Sequence, residues 1–394
     1  MKEGYKKTEL GWIPEEWNIS SLSDIAEINP KKDVLDNEKE VSFIAMEHIS
    51  NSGRVVNMEA RNYGNVSKGY TAFKNEDVLL AKITPCFENG KKAIVKNLKN
   101  GYGFGSTEFH VLRSKDQRSI PEFLYYYVST NKFRQQAELN MTGSAGQKRV
   151  PTTFLNNNRL VVPSLKEQQK IAEILSTVDS QIDDTDKLIE KAKELKKGLM
   201  QRLLTKGIGH IEFKMTEIGE IPVEWEVNNL SEIIDICYGK SQKEVKVSNG
   251  KYKILGTGGV IGYTNNFLWD KPSVLIGRKG TIDKPQYIEE PFWTVDTLFY
   301  TKIKDNDLAK WLFYYLSNID LKKYNEATGV PSLSVSNLNF IKVAVPSLKE
   351  QRKIVEVLSS VDIQIKEYEN KRAKLEELKK GLMQQLLTGK IRVV

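Results

Sequence analysis

The sequence predicts an α/β protein in which two mixed α/β domains are separated by two long antiparallel coiled-coil helices, with a pseudo-two-fold relation between the halves. Three observations carry that expectation: an internal repeat at a constant offset, a narrow apolar seam at helical spacing inside it, and β-rich, loop-rich stretches elsewhere.

An internal repeat fixes organisation more firmly than local propensity does. The segment VPSLKEQQKIAEILSTVDSQI from Val162 recurs as VPSLKEQRKIVEVLSSVDIQI from Val345, and both run on to ELKKGLMQRLLT and ELKKGLMQQLLT. About 28 of the 44 positions from 162 to 205 match their partners 183 residues on, without a gap. The differences concentrate in the middle, Asp183 to Glu190 against Lys366 to Ala373. A weaker repeat opens each half, TELGWIPEEW from Thr8 and TEIGEIPVEW from Thr216. The interiors, roughly 30–110 and 238–300, do not match. Duplication followed by drift would not spare a frame so selectively, so the pattern points to one scaffold carrying two different middles. The expected segmentation is 1–160 for the first domain, 161–206 for the first helical region, 207–215 for a linker, 216–344 for the second domain and 345–390 for the second helical region.

Within the first copy Ile171, Leu175, Val178, Ile182, Thr185, Ile189 and Ala192 alternate spacings of four and three, a coiled-coil seam. Ile354, Leu358, Val361, Ile365, Tyr368, Arg372 and Leu375 repeat it, and Leu195, Leu199, Leu203 or Leu378, Leu382, Leu386 extend the stripe. Pro163 and Pro346 precede Ser164 and Ser347, plausible N-caps with Glu167 and Glu350 at capping-box spacing. Some 40 residues make a rod of about 60 Å, which needs a partner, and the other copy is the nearest one. Gly198 and Gly381 inside these helices cost about 1 kcal/mol each relative to alanine, a hint that another backbone approaches there.

The domain interiors hold short β-branched runs such as DVLLAKI from Asp77 and SVLIGRKG from Ser273. Between them lie basic and amide-bearing loops: Arg61, Lys68, Lys82, Thr84, Lys91, Lys92, Gln147, Lys148 and Arg149 in the first half, and Lys240, Lys243, Asn265, Asn266, Arg278 and Lys279 in the second. Arginine can meet guanine bidentately and Asn or Gln adenine, while Lys and Thr more often hold phosphates. Lys82 and Arg278 end comparable strands in the two halves, and Tyr63, Tyr252 and Tyr263 could stack. For any single cluster a solvated loop is the plainer account; recurrence in both halves is what favours a polyanionic ligand. The net charge of +8 over 394 residues agrees but is spread thinly.

Catalytic and metal motifs are not found. Gly239-Lys240-Ser241 lacks the earlier glycine of a phosphate loop, Gly256 to Gly262 reads as a hairpin, and the only Asn-Pro is followed by Lys31-Lys32. Asp235, Glu244 and Lys246 are only loosely spaced for a metal nuclease, and His48, His110 and His210 read as surface or core residues. Cys86 and Cys237 stand far apart, and no run of about 18 apolar residues or signal-type leader occurs, so a cytoplasmic protein off the membrane is expected.

Taken together, the Val-Pro-Ser-Leu-Lys-Glu-Gln openings of both helices, the Ile-Pro-x-Glu-Trp openings of both domains, the Leu-Leu-Thr ends and the VLIGRKG strand resemble the specificity subunits of Type I restriction-modification systems over essentially the whole chain. The resemblance implies a non-catalytic chain whose two target recognition domains each read one half of a split double-stranded DNA target, with the helices setting the gap. It implies two methyltransferase subunits as partners, docked by the helical regions, for which Glu167, Gln168, Gly198, Glu350, Gln351 and Gly381 are candidates. Restriction-translocase subunits would join through the complex. S-adenosylmethionine, ATP and Mg would belong to those partners and no cofactor to this chain. The rivals are a self-sufficient DNA methyltransferase or nuclease and a coiled-coil scaffold for proteins alone.

Overall fold

The computed structural model describes residues 3–144, 146–304 and 309–393. It divides into two compact units, one made of residues 1–184 with 372–394 and the other of residues 185–371. Both dividing lines fall inside the long helices, Leu165–Lys206 and Leu348–Leu386, of 42 and 39 residues. The two helical regions are thus shared between the units. Each helix surrenders one half to each unit, because its apolar stripe is buried by a different domain at each end.

In the first unit the hairpin Tyr5–Thr8 and Gly11–Pro14 leads into Asn18–Ser21, which pairs antiparallel with Arg159–Val162 just before the first long helix. The domain is thereby zipped shut at its own two ends. One four-stranded sheet runs in the order Ala26–Ile28, Phe109–Ser114, Val78–Ala81, Lys92–Ile94. The VLLA strand is buried along its whole length, as expected of a β-branched and aliphatic run covered on both faces. A second sheet holds Glu59–Asn62, Glu40–Ile44, Tyr102–Gly105 and Thr71–Lys74. Helix Pro121–Ser129, begun by a proline whose missing N–H costs nothing in the first turn, packs Phe123, Leu124 and Val128 into the core.

The second unit repeats the frame. Its hairpin joins Phe213–Thr216 to Gly219–Pro222, and Glu226–Asn229 pairs with Lys342–Val345 before the second long helix. The sheet Ile234–Tyr238, Leu298–Ile303, Ser273–Gly277, Gln286–Ile288 has the same order as its counterpart. The other sheet differs. Here Tyr252–Gly256 forms a bulged hairpin with Gly259–Thr264, the turn read for that glycine-rich stretch. In the first unit the corresponding place is filled by strands of other lengths and order.

The helices run antiparallel within each unit. In the first, Ile171 and Leu175 share the core with Met383, Leu386 and Leu387, while Asp179 further along meets Lys379 at 2.5 Å. In the second, Leu203 and Leu204 share the core with Ile354 and Leu358, and Lys196 meets Asp362 at 2.6 Å. The seam is buried as expected at Ile171, Leu175, Val178, Thr185 and Ile189. Its proposed extension fails in one respect, because Leu195 and Leu378 are 52% and 49% exposed. Lys196 and Lys379, one residue on, take the inward station instead.

Both lysines complete the same arrangement. Tyr126 donates to Asp179 (2.8 Å) and Tyr314 to Asp362 (2.6 Å), so each aspartate is held by a tyrosine from a domain helix and a lysine from the opposing long helix. Burial and the neighbouring carboxylate push both phenols above their ordinary range. Replacing Asp179 by alanine leaves the Tyr126 hydroxyl and the Lys379 ammonium without this partner, and removal of such a partner costs about 1–3 kcal/mol. Asp179→Ala is expected to lower the thermal midpoint measurably, and Asp179→Asn, which keeps an acceptor, to lower it less; an unchanged midpoint for Asp179→Ala would exclude this role.

Candidate nucleic-acid interface

Lys82 follows directly on the buried VLLA strand, and three loops converge on it. Its amide donates to the Glu108 carbonyl (2.9 Å), its carbonyl accepts from the Val150 amide (2.9 Å), and the Thr84 amide donates to the Lys148 carbonyl (2.9 Å). Arg149 and Thr142 exchange both backbone hydrogen bonds. Lys82, Thr84, Gln147, Lys148 and Arg149, separated in sequence by up to 67 positions, thus sit on one loop cluster. Beneath it His110 is buried, its Nε2 2.8 Å from the Val150 carbonyl; burial lowers its pKa, so it is a core residue.

The second unit builds the same station. The Arg278 amide donates to the Thr297 carbonyl (2.8 Å), its carbonyl accepts from the Leu333 amide (2.9 Å), and Gly280 donates to the Pro331 carbonyl (2.9 Å). Lys279 bridges Ser332 as Ile83 bridges Arg149. The Lys240 amide is tied to the Thr294 carbonyl (2.8 Å), and Trp293 Nε1 donates to the Lys240 carbonyl (2.9 Å). Lys240, Lys243 and Lys279 are exposed.

Charge is distributed unequally between the stations. Arg149 forms a two-pronged pair with Glu108 (2.9 and 3.0 Å), whose carboxyl is held below its ordinary range by that guanidinium. The Thr84 hydroxyl donates to Glu88 (2.7 Å). The exposed Lys148 and the half-buried Lys82 remain the cationic members of the first cluster.

Other candidates lie outside these clusters. Arg61 belongs to the second sheet of its unit, with its guanidinium carbon over the Phe43 ring (3.5 Å to the ring centre) and paired with Glu59 (2.6 Å); Lys68 is exposed in the loop that follows. Lys91 reaches the Met46 carbonyl (2.8 Å). Lys92 is half-buried, with its ammonium 5.5 Å from the centre of the Tyr125 ring, so it is covered more than a surface DNA contact would be. Asn265 accepts from the Lys251 amide (3.2 Å), and the Asn266 amide is tied to the Thr264 hydroxyl (3.1 Å), so both help to shape the hairpin end. Of the loosely spaced nuclease residues, Asp235 pairs with Lys304 (2.9 Å) and Lys246 reaches the Ile261 carbonyl (3.1 Å). Among the described residues no three His, Cys, Asp or Glu come together as a metal site.

The docking candidates divide as well. Glu167, Gln168 and Gln351 are buried inside their own units, a correction to the surface role expected of them. Glu167 accepts from Trp17 Nε1 (2.8 Å) and from Arg392 (2.6 and 3.0 Å). Gln168 bonds the Ile120 amide and the Arg118 and Pro163 carbonyls, and Gln351 bonds the Pro346 carbonyl. Glu350 accepts from Trp225 Nε1 (2.9 Å) and the Ile208 amide (2.8 Å), and lies 2.9 Å from His210 Nε2. The serine half of each expected capping box forms, through the Glu167 and Glu350 amides, but both glutamate side chains turn to a tryptophan instead. Gly198 and Gly381 have open space where a Cβ would stand, so nothing among the described residues requires glycine there.

Sequence reasoning missed Tyr238, Trp293 and Glu108. Their partners are 40, 53 and 41 positions away, and only strand pairing brings them together.

Residues 14–194 and 222–377 match the family model described as Type I restriction modification DNA specificity domain. The chain is 47% identical over 160 residues to the Type I restriction enzyme EcoAI specificity subunit of Escherichia coli, covering 40% of this chain and 27% of that protein. It therefore spans about a quarter of that relative. A putative type I restriction enzyme MjaX specificity subunit of Methanocaldococcus jannaschii is 30% identical over 422 residues, covering 100% of this chain and 97% of the relative. Among solved structures, a Type-I restriction-modification S subunit from M. genitalium superposes with a TM-score of 0.61 at 18% identity, over 94% of this chain and 96% of that one. A chain from a study of complex assembly and conformational transition of the type I R-M system gives 0.61 at 18% identity, over 96% and 99%. At such identities the likeness is one of fold.

The partial burial of Lys92 leaves a pH signature. Loss of water, then the nearby Lys379 and Arg134 charges, push its ammonium down to about 8 from an ordinary 10.5. A lysine with a lowered folded-state pKa is a burden while charged, and the burden lifts as pH rises from about 8 towards 10.5. Lys92→Met is therefore expected to raise the thermal midpoint at pH 7 and to lose its advantage over wild type across that window. An advantage that did not change with pH would contradict the assignment.

Proposed function

We propose that this chain, which belongs to the family of Type I restriction-modification DNA specificity domains, is the subunit that reads double-stranded DNA for such a complex, one half-site per domain. The observation that carries the reading is a backbone station built twice from the same hydrogen bonds and filled differently, with Lys82 and Lys148 in one domain and Arg278 and Lys279 in the other. One scaffold with two unlike sets of base- and phosphate-binding groups is what recognition of two unlike half-sites requires.

The long helices set the interval between half-sites, whose centres lie about one helical turn, roughly 10 base pairs, apart. Each helix is continuous over about 40 residues and antiparallel to the other within each unit, which supports a stiff element of fixed length. Two methyltransferase subunits dock on the two ELKKGLM segments, where an exposed leucine and an open glycine lie one turn apart in both copies: Leu195 with Gly198, and Leu378 with Gly381. The chain itself does no chemistry. S-adenosylmethionine, ATP and Mg act in the methyltransferase and restriction-translocase subunits, and the complex works in the cytoplasm. No described helix is long and apolar enough to cross a membrane.

Inserting one heptad into each helix, within 183–190 and 366–373, preserves the seam and adds about 10 Å at 1.5 Å per residue. The complex is expected to keep both half-sites and lengthen their gap by about three base pairs, at 3.4 Å each; an unchanged gap would refute the measuring role. Leu195→Asp with Leu378→Asp is expected to weaken methyltransferase binding at least tenfold in a pull-down or titration while leaving the thermal midpoint near that of wild type.

A further inference from the structure

The second station differs from the first in one respect that bears on what it reads. Arg278 is held from three sides. Its backbone is pinned by Thr297 and Leu333, and its Nη1 donates to the Asp296 carbonyl (3.1 Å). Its guanidinium carbon lies 5.3 Å from the centre of the Tyr238 ring. That ring is fixed in turn, edge-on to the buried Phe299 at 5.1 Å, while 55% of Tyr238 stays open to solvent. The preceding Gly277 has the Thr281 carbonyl 2.0 Å from where a Cβ would stand, so only glycine lets the strand turn this tightly into Arg278.

An arginine so held keeps Nε and Nη2 for an outside ligand, and among the described residues no carboxylate pairs with it. An ordered guanidinium fork matches the O6 and N7 acceptors on the major-groove edge of guanine, and ordering it beforehand removes part of the entropic cost of binding. The first station cannot offer this: Lys82 is a single ammonium, and the fork of Arg149 is taken by Glu108. The exposed Lys240 and Lys279 beside Arg278 are suited to the flanking phosphates.

We infer that Arg278 reads a guanine in the half-site of the second domain and that Tyr238 is its positioning residue. The inference rests on the DNA-reading role proposed above, and it assigns guanine discrimination of this kind to one domain and not the other.

The test uses the full chain assembled with the methyltransferase subunits of its own system, selecting from a randomised double-stranded DNA library. Wild type is expected to enrich a split motif with at least one strongly preferred guanine in one half. Arg278→Ala and Arg278→Lys should lose that guanine preference by roughly 5- to 150-fold, the range of one bidentate base contact, and leave the other half-site unchanged. The intact half-site reports that each variant is folded. Tyr238→Leu should weaken the same preference, and Tyr238→Phe, which keeps the ring, should restore it. On wild type, replacing the guanine by 7-deazaguanine, which lacks the N7 acceptor, should cost affinity. The inference is overturned if Arg278→Ala lowers binding uniformly across sequences, as loss of a phosphate contact would, or if 7-deazaguanine has no effect at any guanine of the motif. A wild-type complex that enriches no split motif would overturn the DNA-reading role itself, and this inference with it.

Discussion

A carboxylate at the start of each long helix, fully buried in the first unit and largely covered in the second, is the constraint on which the rest depends. Glu167 is fully buried, and an isolated charge there would be untenable without compensation. It is compensated by the Trp17 indole and by the two-pronged Arg392. Glu350 stands in the matching place with Trp225, the Ile208 amide and His210. Breaking such a buried arrangement on one side costs several kcal/mol, because the remaining charge is stranded. Each clamp joins the opening of a domain, the start of its own long helix and the segment that follows the end of the other one. The backbone at Gly389 and Gly207 is left-handed, with φ of 69° and 66°, which lets each trailing segment fold onto its tryptophan.

That clamp, with the Tyr-Asp-Lys arrangement about three turns further along, ties the base of each domain to the long helices in the same way in both units. The strand carrying Lys82 or Arg278 belongs to the sheet that both units share in order, so the position of the loop tip follows from the frame. What varies is attached to that frame: the second sheet, the loops around the tip and the side chains they hold. Loop side chains can therefore change without disturbing the helices, since the hydrogen bonds that position the tip are made by backbone.

The repeat, the seam and the hairpins were legible in the sequence because they are local or strictly periodic. Ile171, Leu175, Val178 and their partners lie buried where a four-three spacing places them. The pairing of Glu167 with a tryptophan 150 positions earlier and an arginine 225 positions later was not legible, and the same residue looked like a capping glutamate or a docking site. Leu195 looked like seam and is exposed, because Lys196 has an aspartate to meet on the inner face. Among the basic loop residues, composition could not separate Lys148, exposed, from Arg149, neutralised by Glu108, or from Lys92, half-buried beside Tyr125. Those distinctions depend on long-range contacts that residue type does not encode.

Two unlike readers on one frame, as proposed above, would select a divided target. Mapping modified adenines across the host chromosome by single-molecule sequencing, with the gene for this chain intact and deleted, tests it most directly. The expected result is a methylated motif of two different defined halves around an undefined gap, lost when the gene is removed. A contiguous motif, two identical halves, or a motif that persists without the gene would contradict it.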